Sequence, residues 1–342
     1  MKTLLIVLIV LLCLSFLYLI YGLLVVFIVN KKLFLVRGTD PDNPCYLQLS
    51  DYPELEREGL RIGFYGEMIQ GYLYRQKNQS DDKGLIILSH GFFGTHIQYL
   101  ADINYLTKRG YTVLAYDQYG VGDSEGQNQI SLSNGIYVLE NVLHDAIKNN
   151  INKGKDILLY GHSWGAFVSL GALKKYPTVK KAIIRSGFVS PTKEVLYLLK
   201  QQNKGLYYSV RPLYSFCYFL IFGMRNMKNV KSAKTNNTEI LVLHAKDDKT
   251  VPYAQSIAKR YIDHPKKNIT VRMTEQGDHN SLIAKEGLEN YANAVSEYQK
   301  ILSDKGEDKE KRIDEFVSHL NRREMYPYNQ EVINIIDDFL KS

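Results

Sequence analysis

From residue 84 onward the chain alternates between short apolar runs and longer segments of helical length. Each apolar run is bounded by polar or glycine residues, which is typical of a buried strand. The runs lie at residues 84–90, 112–117, 157–161, 181–187, 239–245 and 269–273, and helix-length segments lie around 96–109, 133–149, 164–176 and 253–263. Continuous apolar strands separated by helices predict an α/β fold, with a mostly parallel central sheet that helices cover on both faces.

Three further segments flank or interrupt this alternation. Residues 60–75, LRIGFYGEMIQGYLYR, predict a hairpin around a Gly-Glu turn, and the proline-rich segment before it, 38–58, predicts an extended connector. Residues 188–236 separate the fourth and fifth of the strands and are dense in Tyr, Phe and Leu. A last helix is expected near residues 329–340.

The first apolar stretch of the chain, residues 3–29, contains no charged residue. As a helix it would be roughly 40 Å long, more than the ~30 Å hydrocarbon layer of a bilayer requires. A cleaved signal peptide has a shorter apolar centre. We therefore expect a retained single-pass anchor at 1–37 and a separate folded domain at 38–342, with a cleaved signal as the alternative.

Charge and cysteine content narrow the function classes. The net charge of +7 is spread along the chain without a basic stripe, so a nucleic-acid partner is not expected. The three cysteines form no CxxC pair, and no metal or organic cofactor is expected. Lys31, Lys32 and Arg37 after the apolar stretch outweigh Lys2 before it, so the positive-inside rule points, by a small margin, to a cytoplasmic location of the domain at 38–342.

The motif GHSWG, residues 161–165, directly follows a predicted strand and precedes a predicted helix. Gly-x-Ser-x-Gly in that setting makes a tight turn that exposes the serine hydroxyl at the carboxyl end of a strand, where ligands of parallel sheets bind. Side chains at Gly161 and Gly165 would collide with the neighbouring strand and helix. Ser163 is therefore a candidate nucleophile, and an ordinary turn serine is the alternative.

A serine nucleophile needs a base within hydrogen-bond reach and a third group that orients the base. Asp247 and Asp248 follow a later strand, and His279 lies in a loop after the last strand. The order Ser, acid, His is the order of this fold type. His162 is expected to pack away from the nucleophile, and His90 to hold the loop that follows its strand.

Together these motifs resemble the α/β-hydrolase superfamily, in its serine aminopeptidase-like and lysophospholipase-like branch. The resemblance covers roughly residues 59–280 and the final helix. It rests on HGFFG (90–94), YDQYGVGDSEG (116–126), GHSWG, DDKTVP (247–252) and GDH (277–279), in that order. It implies that Asp248 is the acid and His279 the base. It also implies an oxyanion hole made by the backbone N–H groups of Phe92 and Trp164, and loop-stabilising roles for Asp117 and Ser124.

The resemblance places a small helical cap over the site, at about residues 188–236. Its aromatic and aliphatic side chains favour an apolar acyl-binding roof, although a buried helical layer without substrate contact has the same composition. We expect hydrolysis of a small-molecule or lipid carboxylic ester. The alternatives are a peptidase acting on short peptides, with Glu194 as the acid that holds an amino group, and a membrane-tethered scaffold without catalysis.

Overall fold

A single sheet forms the centre of the molecule. The computed structural model describes residues 1–38, 43–79, 82–231, 233, 235, 237–304, 306 and 308–342. The strands of the sheet are β1 (Leu55–Phe64), β2 (Glu67–Gln76), β3 (Leu85–Ser89), β4 (Thr112–Tyr116), β5 (Ile157–His162), β6 (Val179–Arg185), β7 (Glu239–Ala245) and β8 (Ile269–Thr274). Their order is β1-β2-β4-β3-β5-β6-β7-β8.

The helices lie before, between and after these strands. They are α1 (Lys2–Phe34), α2 (Leu100–Thr107), α3 (Asn134–Lys148), α4 (Trp164–Ala172), α5 (Pro191–Gln202), α6 (Lys204–Val210), α7 (Tyr214–Phe222), α8 (Ile257–Asp263), α9 (Lys285–Ser303), α10 (Lys309–His319) and α11 (Gln330–Lys341). The helices α5, α6 and α7 form the cap, within the predicted segment 188–236, of which residues 232, 234 and 236 lie outside the described part of the chain.

The sheet is parallel except at one edge. Strands β1 and β2 pair as an antiparallel hairpin, and β2 pairs antiparallel with β4. From β4 through β3, β5, β6 and β7 to β8 every neighbouring pair is parallel. The carboxyl ends of β3, β5, β6, β7 and β8 therefore meet at one edge, where the loops with the candidate residues emerge. The predicted mostly parallel sheet is confirmed.

Helices cover both faces of the sheet, and the side chains of each strand divide between two apolar clusters. Successive residues of a strand point to opposite faces, so Ile86 belongs to one cluster and Ile87 to the other. The helices α3, α4 and α8 cover the face of Ile87, together with the cap. The helices α2 and α11 cover the other face, where Val332 and Ile336 of α11 are buried. Both faces are apolar because neither meets water.

Two predicted boundaries differ from the structure in detail. The hairpin turns at Tyr65 and Gly66, where both residues have positive φ, and not at the Gly-Glu pair one residue later. The segment predicted as an extended connector contains the start of β1 at Leu55, and its residues 39–42 lie outside the described residues. Only residues 55–58 of β1, with the sequence Leu-Glu-Arg-Glu, fall within this segment, and a run with one apolar residue does not predict a strand.

The first helix, α1, is longer than the uncharged stretch, and only part of it is exposed to solvent. It is the one helix among the described residues that is long and apolar enough to cross a membrane, a test that a signal sequence also passes. Its first half is exposed, whereas Gly22, Val26, Asn30 and Phe34 in its second half are buried against the rest of the chain. The second half of α1 thus packs on the rest of the chain, and the domain boundary at residue 37 stays a prediction.

Candidate active site

Ser163 lies in the turn between β5 and α4, which we call the nucleophile turn (residues 161–165). Its backbone has φ 56° and ψ −115°, in the left-handed half of φ space that a serine rarely adopts. The neighbouring strand fixes this geometry, because the Ser163 N–H donates to the carbonyl of Arg185 at 2.9 Å. Strain of this kind concentrates at functional sites. The side chain is 8% exposed.

The glycines of the nucleophile turn permit close backbone contacts. A Cβ atom at Gly161 would lie 2.3 Å from the carbonyl oxygen of Gly165, and one at Gly165 would lie 1.9 Å from that of Ser89. The loop after β3 also lies close to the serine, since a Cβ at Gly91 would lie 3.3 Å from Cβ of Ser163. These contacts bring the loop with Phe92 next to the serine.

The structure brings Asp248 and His279 together at the same edge of the sheet. Nδ1–H of His279 donates to Oδ2 of Asp248 at 2.9 Å, and the carboxylate has no exposed surface. The other oxygen, Oδ1, accepts the N–H groups of Thr250 and Val251, both at 2.9 Å. A histidine whose Nδ1 carries the proton presents Nε2 as a base.

His279 and Ser163 are not yet hydrogen-bonded. Among the described residues, no hydrogen bond joins Oγ of Ser163 to Nε2 of His279. Such bonds are often long before a substrate is bound. The imidazole ring of His279 is adjacent to the nucleophile turn, because its centroid lies 4.8 Å from that of His162.

Asp247 and Asp248 point in different directions, as expected for neighbouring residues. Oδ1 of Asp247 accepts the N–H of Asp278 at 3.0 Å. Asp247 therefore fixes the backbone just before His279, while Asp248 contacts the imidazole itself. The structure separates two carboxylates that the residues alone left as alternatives.

Side chains that the sequence did not single out hold the segment around His279, which we call the histidine loop (residues 275–281). The carbonyl of His279 accepts Nε2–H of His162 and the hydroxyl of Ser186, both at 2.9 Å. Nδ1 of His162 accepts the hydroxyl of Tyr99 at 2.7 Å, and the N–H of Gly91 donates to that hydroxyl at 2.8 Å. A continuous chain of hydrogen bonds thus joins the loop after β3 to the histidine loop.

His162 has a definite protonation state in this chain. Burial, together with the nearby charges of His279 and Arg185, holds the pKa of His162 well below its usual range. The ring is therefore neutral, with one donor and one acceptor nitrogen, and both are used. The ring of His162 bonds to the Tyr99 hydroxyl and to the carbonyl of His279, so it positions His279, and its expected orientation away from the serine stays a prediction.

The expected oxyanion donors are placed next to the serine. The N–H of Trp164, the first residue of α4, has no acceptor within its own helix. The Phe92 ring packs against the Trp164 ring at 5.7 Å and against the ring of Phe34, the last residue of α1, at 5.3 Å. The end of α1 therefore contacts the loop that carries a candidate donor. The role of both donors stays a prediction.

The remaining motif residues hold loops in place. Nε2 of the buried His90 accepts the N–H of Gln118 at 3.0 Å, so it fixes the loop after β3 to the loop after β4. Asp117 accepts the N–H of His96 at 2.9 Å and that of Asp123 at 3.0 Å. The hydroxyl of Ser124 donates to the carbonyl of Asp117 at 2.7 Å.

Glu194 lies in the first turn of α5 and is buried. Burial raises the pKa of Glu194 to about 8, and the charge of Asp248 adds to this effect. Its Oε2 atom is buried without a hydrogen-bond partner among the described residues. At neutral pH this side chain is mostly protonated.

Part of the chain matches a known family. Residues 80–214, which contain the loop after β3, the nucleophile turn and most of the cap, match the family model described as serine aminopeptidase, S33.

Curated relatives match over part of the chain. The chain is 32% identical to a proline iminopeptidase of Thermoplasma volcanium over 36% of this chain and 41% of that protein. It is 28% identical to a proline iminopeptidase of Saccharolobus solfataricus, over 46% of this chain and 48% of that protein. It is 25% identical to lysophosphatidylserine lipase ABHD12 of Danio rerio, over 64% of this chain and 57% of that protein. The chain thus spans about half the length of the curated relatives it matches.

Solved structures show the same fold at low sequence identity. An esterase of Pyrococcus furiosus matches with a TM-score of 0.54 and 18% identity, over 77% of this chain and 98% of that one. An α/β hydrolase of a Penicillium species matches with a TM-score of 0.50 and 16% identity, over 71% and 96%. These likenesses confirm the fold that the motifs predicted.

Proposed function

We propose that this chain, which belongs to the α/β-hydrolase superfamily, is a serine hydrolase that cleaves carboxylic esters carrying an acyl chain. The observation that carries the proposal is the strained backbone of Ser163 beside the hydrogen-bonded pair of Asp248 and His279. A buried strained serine that served only as a turn would gain nothing from that pair. The relatives include an esterase, a lipase and two iminopeptidases, and all of these names describe hydrolases.

In the proposed reaction Oγ of Ser163 attacks the ester carbonyl while Nε2 of His279 takes its proton. Asp248 keeps the imidazole in the required tautomer and stabilises the imidazolium. The N–H groups of Phe92 and Trp164 hold the negative oxygen of the tetrahedral intermediate, and each such donor is worth roughly 3–4 kcal/mol. The imidazolium then protonates the leaving alcohol, and water activated by His279 releases the acyl group.

A peptidase function is the second candidate, because the family model and two relatives are named for peptidases. A peptidase that acts on free amino termini needs a negative charge to bind the ammonium group. Glu194 is the one acidic residue between 188 and 236, and its raised pKa leaves it mostly uncharged at neutral pH. Ester hydrolysis is therefore the better supported of the two functions.

We place the enzyme at a membrane, with α1 as a retained span. The helix is apolar and exposed over its first half, and basic residues follow its apolar stretch. The balance of Lys31, Lys32 and Arg37 against Lys2 favours a cytoplasmic catalytic body.

The test is labelling with a fluorophosphonate probe, with wild type and Ser163→Ala side by side, followed by esters of increasing acyl length and by amino-acid amides. We expect the label to be lost in Ser163→Ala and the longer acyl esters to be preferred. Preference for the amides would favour the peptidase. A folded wild type that takes up no label would favour the scaffold and contradict the assignment of Ser163.

A further inference from the structure

The cap helix α7 has the sequence YSFCYFLIF and contains no charged residue. Tyr214 and Cys217 are buried against the rest of the chain. Phe216, Phe219 and Leu220 are exposed by 52%, 38% and 49%. Their spacing places these three side chains next to one another on the helix surface, and we call them the outer stripe. A helix that is apolar on all sides is typical of a protein core or a membrane.

The outer stripe runs beside the contact of α7 with α1. A Cβ atom at Gly22 of α1 would lie 3.0 Å from Sγ of Cys217, so the two helices are in close contact. Cys217 follows Phe216 by one residue and precedes Leu220 by three, so it neighbours the outer stripe on the surface of α7. Lipid that surrounds α1 beside this contact would therefore also meet the outer stripe.

The contacts of the cap with α1 extend from Tyr18 to Asn30. The hydroxyl of Tyr18 donates to the carbonyl of Ser209 in α6 at 2.7 Å. Nδ2 of Asn30 donates to the hydroxyl of Tyr214, the first residue of α7, at 3.0 Å. The helices α6 and α7 therefore lie against the second half of α1.

This half of α1 is where the helix would leave the hydrocarbon layer of a bilayer. About 20 residues of a helix fill that layer. A layer that begins at Thr3 ends near Gly22, and the apolar stretch itself stops at Val29. The boundary between hydrocarbon and water therefore falls between Gly22 and Val29. In both placements it lies within the part of α1 that contacts the cap, so α7 lies at this boundary.

The first helix exposes apolar side chains at the same level. Leu24, Phe27 and Ile28 are exposed by 56%, 42% and 50%. Apolar side chains exposed together on neighbouring elements mark a surface that binds protein or membrane. Because α1 and α7 both present them at this level, one bilayer would cover both.

The charges around α7 are also those of a membrane surface. Between Glu194 and Glu239 the chain contains seven basic residues and no acidic one. Two of the basic residues, Lys204 at the start of α6 and Arg211 directly after its end, are exposed. Basic residues near a bilayer attract anionic lipids, by about 1 kcal/mol each. An apolar face next to basic residues is typical of helices that lie in a membrane interface.

We propose that α7 is a second membrane contact of this chain, in which the outer stripe inserts at the hydrocarbon boundary of the bilayer that α1 crosses. Because α1 already holds α7 at the bilayer, the second contact forms at a high effective concentration, and a stripe of three side chains is sufficient. The inference rests on the membrane location in the proposed function but not on hydrolysis by Ser163.

The test places a tryptophan on the outer stripe and measures its quenching by phospholipids with brominated acyl chains. The full chain is reconstituted into vesicles of phosphatidylcholine and phosphatidylglycerol. We expect the fluorescence of Phe219→Trp to be quenched, and more strongly by bromine near the headgroup end of the acyl chain than by bromine near its methyl end. The native Trp164 is 2% exposed, and the wild type gives its contribution.

The matched control is Leu302→Trp on α9. Leu302 is 41% exposed, close to the 38% of Phe219. Leu288 of α9 packs on the cluster of α2 and α11, whereas the cap packs on the other cluster, so α9 and α7 lie on opposite faces of the sheet. We expect no quenching of Leu302→Trp beyond that of the wild type. Equal quenching of Phe219→Trp and Leu302→Trp would overturn the proposal.

A third variant, Leu8→Trp, separates this inference from the proposed membrane location. Leu8 is 49% exposed in the first half of α1, and a tryptophan there is expected to be quenched if α1 crosses the bilayer. Quenching of Leu8→Trp without quenching of Phe219→Trp would overturn this inference and leave the membrane location intact. Quenching of neither variant would overturn both.

Two further readings complete the test. If a second copy of the chain covers the outer stripe, the tryptophan of Phe219→Trp would escape both the brominated lipids and iodide in the water, and this would overturn the proposal. A chain that is quenched in Phe219→Trp but takes up no fluorophosphonate would support the membrane contact and count against hydrolysis alone. All three substituted positions are on the protein surface, so the variants are expected to fold.

Discussion

The nucleophile turn and the histidine loop meet at one site but are held in different ways. The turn depends on glycines within it, since Gly161 and Gly165 let the backbone approach atoms that a side chain would displace. The histidine loop depends on residues outside it: Ser186 and His162 donate hydrogen bonds to the carbonyl of His279, and Asp247 accepts one from the N–H of Asp278. The glycines of the turn belong to a motif in the sequence, whereas Ser186 belongs to none. We therefore expect substitutions in the two regions to have different effects on activity and stability.

Asp248→Asn is expected to have the largest effect, a fall in kcat of about 10⁴. The amide would keep the shape of the site but favour the wrong tautomer of His279. Asp247→Asn is the matched control, because Asp247 accepts the backbone N–H of Asp278 and, among the described residues, makes no hydrogen bond to His279; its expected loss is far smaller. Steady-state kinetics on a soluble ester measure both. Equal losses in the two variants would mean that the wrong carboxylate has been assigned.

Gly165→Ala tests the turn itself and is expected to destabilise the fold by about 3 kcal/mol or more. The added Cβ would lie 1.9 Å from the carbonyl oxygen of Ser89, which is backbone and cannot move aside. Gly63→Ala is the control, since a Cβ there would meet nothing within 4 Å. Urea unfolding of the full chain in detergent gives both values. An unchanged stability for Gly165→Ala would contradict the close approach of β3 to the turn.

His162→Phe and Ser186→Ala test the outside support of the histidine loop. Each change removes one of the two hydrogen bonds to the carbonyl of His279, and we expect roughly a tenfold loss of kcat with little change in KM. Because both bonds hold the same atom, the double variant should depart from additivity. A fluorophosphonate labelling rate that is unchanged in both single variants would show that the loop is held without them.

The smallest expected effect is a pH dependence of stability that comes from His162, which joins the two regions, and from His90 in the loop after β3. Burial lowers the pKa of His90 and His162, so both rings are neutral in the folded protein, whereas unfolded histidine titrates near roughly 6.5. The unfolded state therefore binds more protons in acid. The contribution of the two neutral histidines to stability is complete above roughly pH 6.5. It is lost as the pH falls toward their pKa values in the folded protein.

Urea unfolding at about pH 7.5 and about pH 5.5 measures this dependence. We expect a lower free energy of unfolding at the acidic value, and a weaker dependence in His162→Gln. A wild type whose stability does not change between the two conditions would indicate that His162 is not neutral in the fold.

The fold and the motif residues were accessible from the sequence because their causes are local. The apolar run at 157–161 predicts β5 to within one residue, since a strand buried on both faces needs apolar residues throughout. Gly-x-Ser-x-Gly predicts the turn that follows, because the conformation depends on those five residues. The resemblance added Asp248 and His279, whose spacing from their strands the superfamily shares.

The supports of the site were not accessible in the same way. Tyr99 lies in a helix-length segment and Ser186 follows an ordinary apolar strand, and neither has a local pattern that distinguishes it. Their contacts to His162 and His279 join positions that are 63 and 93 residues apart. The contact of Phe34 with Phe92 was not predictable either, because the apolar stretch before Phe34 predicts a membrane helix and not a contact with the loop after β3.

That contact has a consequence for how the enzyme would meet its substrates. Arg37 lies three residues after Phe34. Its guanidinium donates hydrogen bonds to the carbonyls of Ser124 and Gly126, at 2.8 and 2.7 Å. A flexible tether would let the site sweep a volume that grows with linker length. This joint instead fixes the height and tilt of the site relative to α1. With α1 in a membrane and an ester as the substrate, as proposed, the site would meet substrate in two dimensions, and its rate would follow the surface density of ester in that membrane.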